Sequence, residues 1–440
     1  MADRAQENGE KSGQSDDTTD AEVMIEHFGD MHVGGGEGGR AAKEKTLEMT
    51  AGQSLTAEQL KMMLHAEPGL FRMPFQEKTQ EQFKFWSTQP VLRLDEDRKE
   101  NGPIETGKTP ADVRQEPYNL PEGFTWCEVD MRDGQEAKEV YDLLNQNYVE
   151  DDDNMFRFDY SPAFLEWALT PPGSQKDFIV GIRVDPSAAA VTKGKSRRKL
   201  VGFITGVPVQ MRVSDKVMPM VEINFLCVLK KLRSKRLAPV LIKEITRRVN
   251  LTGNLSNENI FRCGRPFTRR ALSFPGPLLD AGIRPMTPAD VPSARKLLNT
   301  YLEAFKLAPV MDDADLAHWL LPRPNVVDSF VVTKEGCVTD MCSFYHLHST
   351  VIDNTAYPSL NAVYSFYNVA TTMSLTSLMR EALILAKQRD VDVFNALDLM
   401  ENQLFLKELK FGHGDGVLHY YLYNWGCADI EPAHVGLVLL

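Results

Sequence analysis

The chain has 440 residues, with 49 basic and 61 acidic side chains, a formal net charge of −12, and a hydrophobic fraction of 43%. That length predicts two domains or one large duplicated unit with tails, and the apolar content suffices for a sizeable core. The acidic balance excludes general nucleic-acid binding and favours a cationic partner.

Residues 1–54 are polar, charged and Gly-rich, with GGGEGG at 34–39, and read as a disordered segment of a 1–75 tail. LTAEQLKMMLHAEPGL adds one short helix from about Thr56. The N-terminus lacks an apolar signal region and no 18-residue apolar run occurs, so a cytoplasmic protein without a transmembrane segment is expected. The six cysteines form no CxxC pair and the nine histidines are scattered, so neither a zinc site nor a disulfide framework is signalled.

Ordered sequence begins near FKFWSTQPV (83–91), opening a first half over 76–254. CEVDM is a short strand, and GQEAKEVYDLLNQNYV has the i, i+3/i+4 apolar spacing of a helix. DFIVGIRV and KLVGFITGVPVQMRV read as strands around a polar loop, VEINFLCV as a third strand, and SKRLAPVLIKEITRRV as an amphipathic helix. Residues 255–282 lack clean periodicity and read as a divergent, irregular segment.

The second half, 283–440, repeats the order. AGIRPMTPADVPSARKLLNTYLEAF is a strand–helix opening, SFVVTK and CVTDMCSFYHL are strands, and AVYSFYNVA is a buried strand. LTSLMREALILAKQRD is its helix, followed by strand DVFNAL, helix NQLFLKELKF and strand LHYYLYNW. FLEWALTPP (164–172) and LAHWLLPRP (316–324) echo each other in Trp, Leu and Pro spacing about 150 residues apart. With the parallel element order, the echo predicts an internal repeat and an α/β fold of two similar halves.

Five cations, Lys230, Lys231, Arg233, Lys235 and Arg236, follow EINFLCV within seven residues. A strand that empties into a basic loop and then a helix N-terminus presents backbone N–H groups and positive charge together, which suits phosphate. RSKRLA has the spacing of the Arg/Gln-x-x-Gly-x-Ala/Gly loop that holds the coenzyme A pyrophosphate in GNAT acetyltransferases, with Arg236 in place of Gly. From spacing alone, a solvated basic helix start remains an equal alternative.

The longer string, EINFLCV followed by KKLRSKRLAP, resembles the N-myristoyltransferase family. So do KFGHGDG (410–416), FWSTQPV, QEPYNLPEGFTW, NYVEDDDNMFRFDYSP, AVYSFYNVA, DVFNALDLMEN, LHYYLYNW and the C-terminal VGLVLL. The likeness covers roughly 83–252 and 283–440. It implies two GNAT-like halves related by an internal pseudo-twofold duplication, with a mixed twisted sheet. The implied activity is transfer of a tetradecanoyl group from myristoyl-CoA, as co-substrate, to the N-terminal glycine of proteins. No permanently bound cofactor or metal is implied.

By that resemblance the tetrahedral oxyanion is stabilised by the backbone N–H groups of Phe225 and Leu226, which a strand bulge would free. The acyl-CoA would also meet Lys84, Phe85 and Trp86 of an N-terminal strap, Cys227 and Val228, and then Ser234, Lys235, Arg236, Leu237 and Ala238. The chain offers no His/Asp pair at a suggestive spacing for deprotonating the glycine ammonium; the family uses its terminal carboxylate, here Leu440. Burial disfavours the ionised form of a carboxylate, which suits a base. Tyr148, Glu150, Asp151, Asp153, Phe156, Phe158, Tyr160, Asn224, Ser349, Tyr364 and Asp415 match the family's peptide groove, where acids receive a basic residue downstream of the glycine. For Phe156 and Phe158 a core role is an equal alternative. The further expectations are a monomer and possible ribosome association.

Three departures stand out. Lys84 replaces a glutamine and Leu229 a histidine. In addition, family members carry a longer segment at 255–282, with a Thr-Ala-Gly turn and a Tyr–x–His pair that have no equivalent in LSNENIFRCGRPFTRRALSFPG. Two readings therefore stand at this point: a transferring enzyme, and an impaired isoform that binds acyl-CoA or peptide without efficient transfer. A GNAT-type acetyltransferase is a distant third.

Overall fold

The computed structural model describes residues 84–440 except 94, 95, 97, 99, 106–107, 149–154, 186–198, 254–258, 264–267, 272–281, 353–357, 413 and 415–417. Of residues 84, 259–263 and 268–271 it describes the backbone. The 1–75 tail and the groove candidates Glu150, Asp151, Asp153 and Asp415 lie outside the described residues.

The first half runs β1 (Phe124–Glu128), α1 (Gly134–Asn147), β2 (Phe156–Asp159), α2 (Pro162–Leu169), β3 (Ile179–Val184), β4 (Leu200–Val213), β5 (Lys216–Val228), α3 (Leu237–Leu251) and β6 (Asn259–Cys263). Next come β7 (Thr268–Ala271), β8 (Arg284–Pro285), α4 (Val291–Leu302), β9 (Leu307–Pro309), α5 (Asp313–Leu320), β10 (Val327–Lys334) and β11 (Cys337–His346). The chain continues through β12 (His348–Val351), β13 (Ala362–Ser365), α6 (Leu375–Lys387), β14 (Val393–Ala396) and β15 (His419–Tyr423). Leaving β2, β7, β9, β12 and β15 aside, β1-α1-α2-β3-β4-β5-α3-β6 matches β8-α4-α5-β10-β11-β13-α6-β14 in order, which is the expected duplication.

The local chemistry explains these elements. Asp133 starts α1 by accepting from the N–H groups of Gln135 and Glu136. Leu237, Leu241, Ile245 and Val249 give α3 a buried stripe at helical spacing. Among the described residues β13 ends at Ser365 although AVYSFYNVA reads as one strand, because side chains take over the ladder. The Ser343 hydroxyl donates to Tyr367 O (2.8 Å) and accepts from Tyr367 N–H (2.9 Å), and Asn368 Oδ1 accepts from Ser343 N–H (3.2 Å).

The strands form two principal sheets, each mixed in direction. The first orders β15-β6-β5-β4-β3-β1, with β9 added to β4; the second orders β7-β14-β13-β11-β10-β8. Each contains a parallel pair, β5 with β6 and β13 with β14, and the helix joining each pair is α3 or α6. The halves join through a shared core and cross-pairing. One apolar cluster contains residues of both halves, from Val129 to Leu440. Strand β2 pairs with β12, β9 with β4, and β15 with β6.

Helices α2 and α5, which carry the echoed segments, meet directly. The Trp167 and Trp319 rings contact edge to face at 5.3 Å. Trp167 Nε1–H donates to the His318 carbonyl (3.0 Å), and His318 Nε2 bonds the Trp167 carbonyl (2.7 Å).

The expectation of an irregular 255–282 needs correction. Its described part contains β6, parallel to β5, and β7, antiparallel to β14, so it adds one strand to each sheet. Short strands of mixed polarity such as NIFRC and TRRA lack the alternation that would reveal them.

Candidate active site at the bulged strand and the basic turn

Strand β5 is the centre of the site. Its antiparallel register with β4 shifts between Phe203/Thr205: Cys227 faces Phe203, Asn224 faces Thr205, and Phe225 and Leu226 together oppose Ile204. This is a β-bulge, which takes an extra residue out of ladder pairing. Phe225 adopts φ +55, a left-handed conformation rare for an aromatic residue. Its ring is buried (1% exposed) and packs on Tyr160 at 5.2 Å and Tyr148 at 5.8 Å. The Thr205 hydroxyl donates to the carbonyl of Asn224 (3.0 Å), pinning the residue just before the bulge. On the other side of β5, parallel pairing with β6 covers Val221 to Ile223, so the partners part immediately before the bulge.

After the bulge the chain turns through a 3-10 segment, Lys230–Lys235, and then Arg236 takes φ +57 and ψ +38. The left-handed residue explains why the helix read as starting near Ser234 begins at Leu237. Arg236 makes no side-chain hydrogen bond that caps the start of α3. Leu237 and Ala238 are buried in the core. Ser234 and Lys235 are exposed. The turn is fastened to the end of α1: Lys230 N–H donates to Asn147 Oδ1 (3.1 Å), and Arg233 Nη2 to the Asn147 carbonyl (3.1 Å). Cys227 and Val228 are buried, and burial pushes the Cys227 thiol up to about 12, so it stays protonated.

The N-terminal strap comprises a short helix, Lys84–Ser87. Phe85 is buried with the α3 side chains, Lys243 Nζ lies 5.7 Å from its ring centre, and Trp86 packs on it edge to face at 5.1 Å. The motif QEPYNLPEGFTW is structural. Buried Glu244 accepts from Tyr118 N–H (3.1 Å), Arg247 donates to the Gln115 carbonyl (2.8 Å), and Trp126 to the Tyr118 carbonyl (2.7 Å).

Of the groove candidates, Tyr160 and Tyr364 are buried core aromatics and Tyr148, Phe156 and Phe158 are half-buried. Phe158 packs on Tyr160 (5.9 Å) and Tyr364 (6.3 Å), and sits opposite Ser349 in the β2–β12 pair. Phe156 sits opposite Val351. Tyr148, Tyr160, Phe158 and Tyr364 thus form one aromatic seam between the halves.

The chain's last residues pass through the same region. Gly436 N–H donates to Leu307 O (2.7 Å), the Tyr420 hydroxyl to Leu437 O (2.8 Å), and Val438 N–H to the Tyr367 hydroxyl (3.4 Å). Leu440 is 8% exposed. It lines, with Asn224, Glu222, Tyr367, Val438 and Trp319, a cavity of about 190 Å³ between the halves. Sequence reasoning singled out Asn224 and Leu440 but missed Glu222, Tyr367 and the anchoring Asn147. The first could have been found as the second polar residue of an alternating E-I-N within an apolar strand.

A His/Asp pair lies away from the cavity. His346 Nε2 lies 2.8 Å from Asp328 Oδ2, and Arg389 bonds the other oxygen at 2.8 Å. Both residues belong to the second sheet and neither lines the cavity. Among the described residues no group of three His, Cys, Asp or Glu side chains is placed to hold a metal, and no helix is long and apolar enough to cross a membrane.

A parallel pair that parts before a bulge, followed by a basic turn and an uncapped helix N-terminus, is the layout of an acyl-CoA N-acyltransferase half, here in a duplicated α/β frame. The comparisons narrow this class. Residues 103–265 match the model of the N-terminal domain of myristoyl-CoA:protein N-myristoyltransferase, and residues 269–438 match its C-terminal domain. Glycylpeptide N-tetradecanoyltransferase 2 of Bos taurus is 48% identical over 399 residues, covering 82% of this chain and 77% of its own. Glycylpeptide N-tetradecanoyltransferase 1 of Arabidopsis thaliana is 46% identical, covering 81% and 89%. The crystal structure of Saccharomyces cerevisiae N-myristoyltransferase with bound myristoyl-CoA superposes with a TM-score of 0.74 at 35% identity, covering 81% of this chain and 99% of that one. The chain belongs to the N-myristoyltransferase family.

Proposed function

We propose that this protein transfers a myristoyl group from myristoyl-CoA to the N-terminal glycine amine of proteins. The observation that carries the reading is the joining of Asn224, next to the bulge, and Leu440 in one cavity at the seam between the halves. The amine nitrogen attacks the thioester carbonyl carbon, a C–N bond forms, the C–S bond breaks, and the CoA sulfur leaves as the amine proton is taken up by a base.

In this reading the first half, 76–254, holds acyl-CoA and the second, 283–440, holds the peptide. The backbone N–H groups of Phe225 and Leu226 stabilise the oxyanion. Ser234, Lys235, Arg236, Leu237 and Ala238 hold the CoA phosphates at the start of α3, while Lys84, Phe85, Trp86, Cys227 and Val228 cover the acyl-CoA. The aromatic seam of Tyr148, Phe158, Tyr160 and Tyr364, with Phe156, Asn224 and Ser349, lines the peptide path. Glu150, Asp151, Asp153 and Asp415 attract a basic residue further along the peptide. The carboxylate at Leu440 takes the glycine proton. The same reading makes the protein a cytoplasmic monomer, with ribosomes a further partner to test.

Purified protein incubated with labelled myristoyl-CoA and a glycine-initiated peptide containing a basic residue is expected to yield acylated peptide. Binding of the CoA ester without label transfer would sink the reading. Deleting Leu440 should lower turnover by roughly 100-fold or more while sparing acyl-CoA binding; unchanged turnover would remove its role as base.

A further inference from the structure

Within β5, Glu222 and Asn224 alternate with the buried Val221, Ile223 and Phe225, so the two polar side chains share the face that lines the cavity. Asn224 Nδ2 donates to Glu222 Oε1 at 2.9 Å. An ionised carboxylate accepts but cannot donate, so this contact determines which way the Asn224 amide is turned. Nδ2 is directed to Glu222, and Oδ1 is the acceptor that Asn224 retains. The Asn224 carbonyl is held by Thr205, so main chain and side chain are both fixed immediately before the bulge. Leu440 lines the same cavity.

We propose that Glu222 is a positioning residue for the incoming amine, orienting the Asn224 carboxamide so that its Oδ1 receives a peptide ammonium in the cavity shared with Leu440. The inference rests on the transferase reading for the identity of that amine. Tyr367, whose hydroxyl accepts from Val438 N–H, lines the same cavity and lies close enough to Glu222 to feel its charge.

The test compares the parent with Glu222→Ala and Glu222→Gln. Each protein, loaded with a non-hydrolysable myristoyl-CoA analogue, is titrated with a glycine-initiated peptide and with the same peptide N-acetylated; kcat and KM are measured separately with myristoyl-CoA. The parent should prefer the free amine. Glu222→Ala should weaken free-amine peptide binding by about tenfold or more, raising KM accordingly, with the acetylated peptide and the acyl-CoA analogue unchanged within about twofold. Glu222→Gln should recover most of the loss, because its amide oxygen can accept from Asn224.

Three results would overturn the inference: a parent without preference for the free amine, a Glu222→Ala protein that retains it, or parallel loss of acyl-CoA binding and thermal stability. A parent that prefers the free amine yet forms no acylated product would instead count against the transferase reading, while the two-peptide comparison still decides the role of Glu222.

Discussion

Phe225 and Arg236 both hold left-handed backbone conformations, at φ +55 and φ +57, on either side of the basic turn. Such geometry costs a side-chain-bearing residue roughly 1–2 kcal/mol, and it persists where the surroundings over-determine it. For Phe225 the compensation is visible in the burial of its ring against Tyr148 and Tyr160. Arg236 is half-buried and makes no cap, so its conformation serves the turn into α3. Arg236→Gly should therefore leave stability within about 1 kcal/mol of the parent, strain relief being offset by the freer unfolded chain. Arg236→Val, β-branched, should lose about 1–2 kcal/mol. Urea unfolding of the two variants checks this, and equal stability would mean that the left-handed turn carries no strain. Acyl-CoA affinity of Arg236→Gly then separates the backbone's share of phosphate binding from the side chain's. The sequence motif marked this position as that of a glycine in the GNAT coenzyme A loop; only the dihedral angles reveal that the arginine here is left-handed.

At the scale of elements, the contact of α2 with α5 has a measurable pH signature. Burial, with the nearby Arg323 cation as a smaller cause, lowers the His318 pKa to about 4. Its Nε2 lies 2.7 Å from the Trp167 carbonyl and its Nδ1 3.3 Å from Arg323 Nη2, so the neutral ring with Nε2–H satisfies both partners. The folded pKa lies below the unfolded value of about 6.5. The unfolded chain therefore binds more protons through this window, and stability falls as pH drops from about 6.5 towards about 4. His318→Gln should flatten that part of the stability curve, read as urea midpoint against pH; an unchanged slope would assign the loss to other groups. The spacing of Trp167 and Trp319 was legible as an echo in the sequence. Their meeting was not, because it depends on how two distant halves dock. Equally, AVYSFYNVA reads as a strand throughout, while Ser343 and Asn368 end it with side-chain hydrogen bonds that no local pattern announces.

The whole molecule is two copies of one α/β plan that complete each other. The duplication, most helices and the basic turn were legible because hydrophobic period and charge are local properties. The destination of HYYLY was not: its residues form β15, and β15 lies at the edge of the first half's sheet beside β6. With β9 on β4 and β2 on β12, each half carries strands that pair with the other. Expressed alone, residues 76–254 should be insoluble or lack cooperative unfolding, since exposed edges and apolar core surface remain uncovered. Co-expression with residues 255–440 should restore soluble protein with a single unfolding transition. Soluble, cooperatively unfolding 76–254 would show that the halves are independent domains.

The position of β15 also orders events during synthesis. The strand that flanks β6 is translated only after most of the second half, on the order of ten seconds later at typical elongation speeds. Throughout that interval the nascent first half has an open sheet edge, the kind of surface that chaperones bind. Variants that slow translation through the second half would lengthen the exposure and lower the yield of active protein without altering the finished structure.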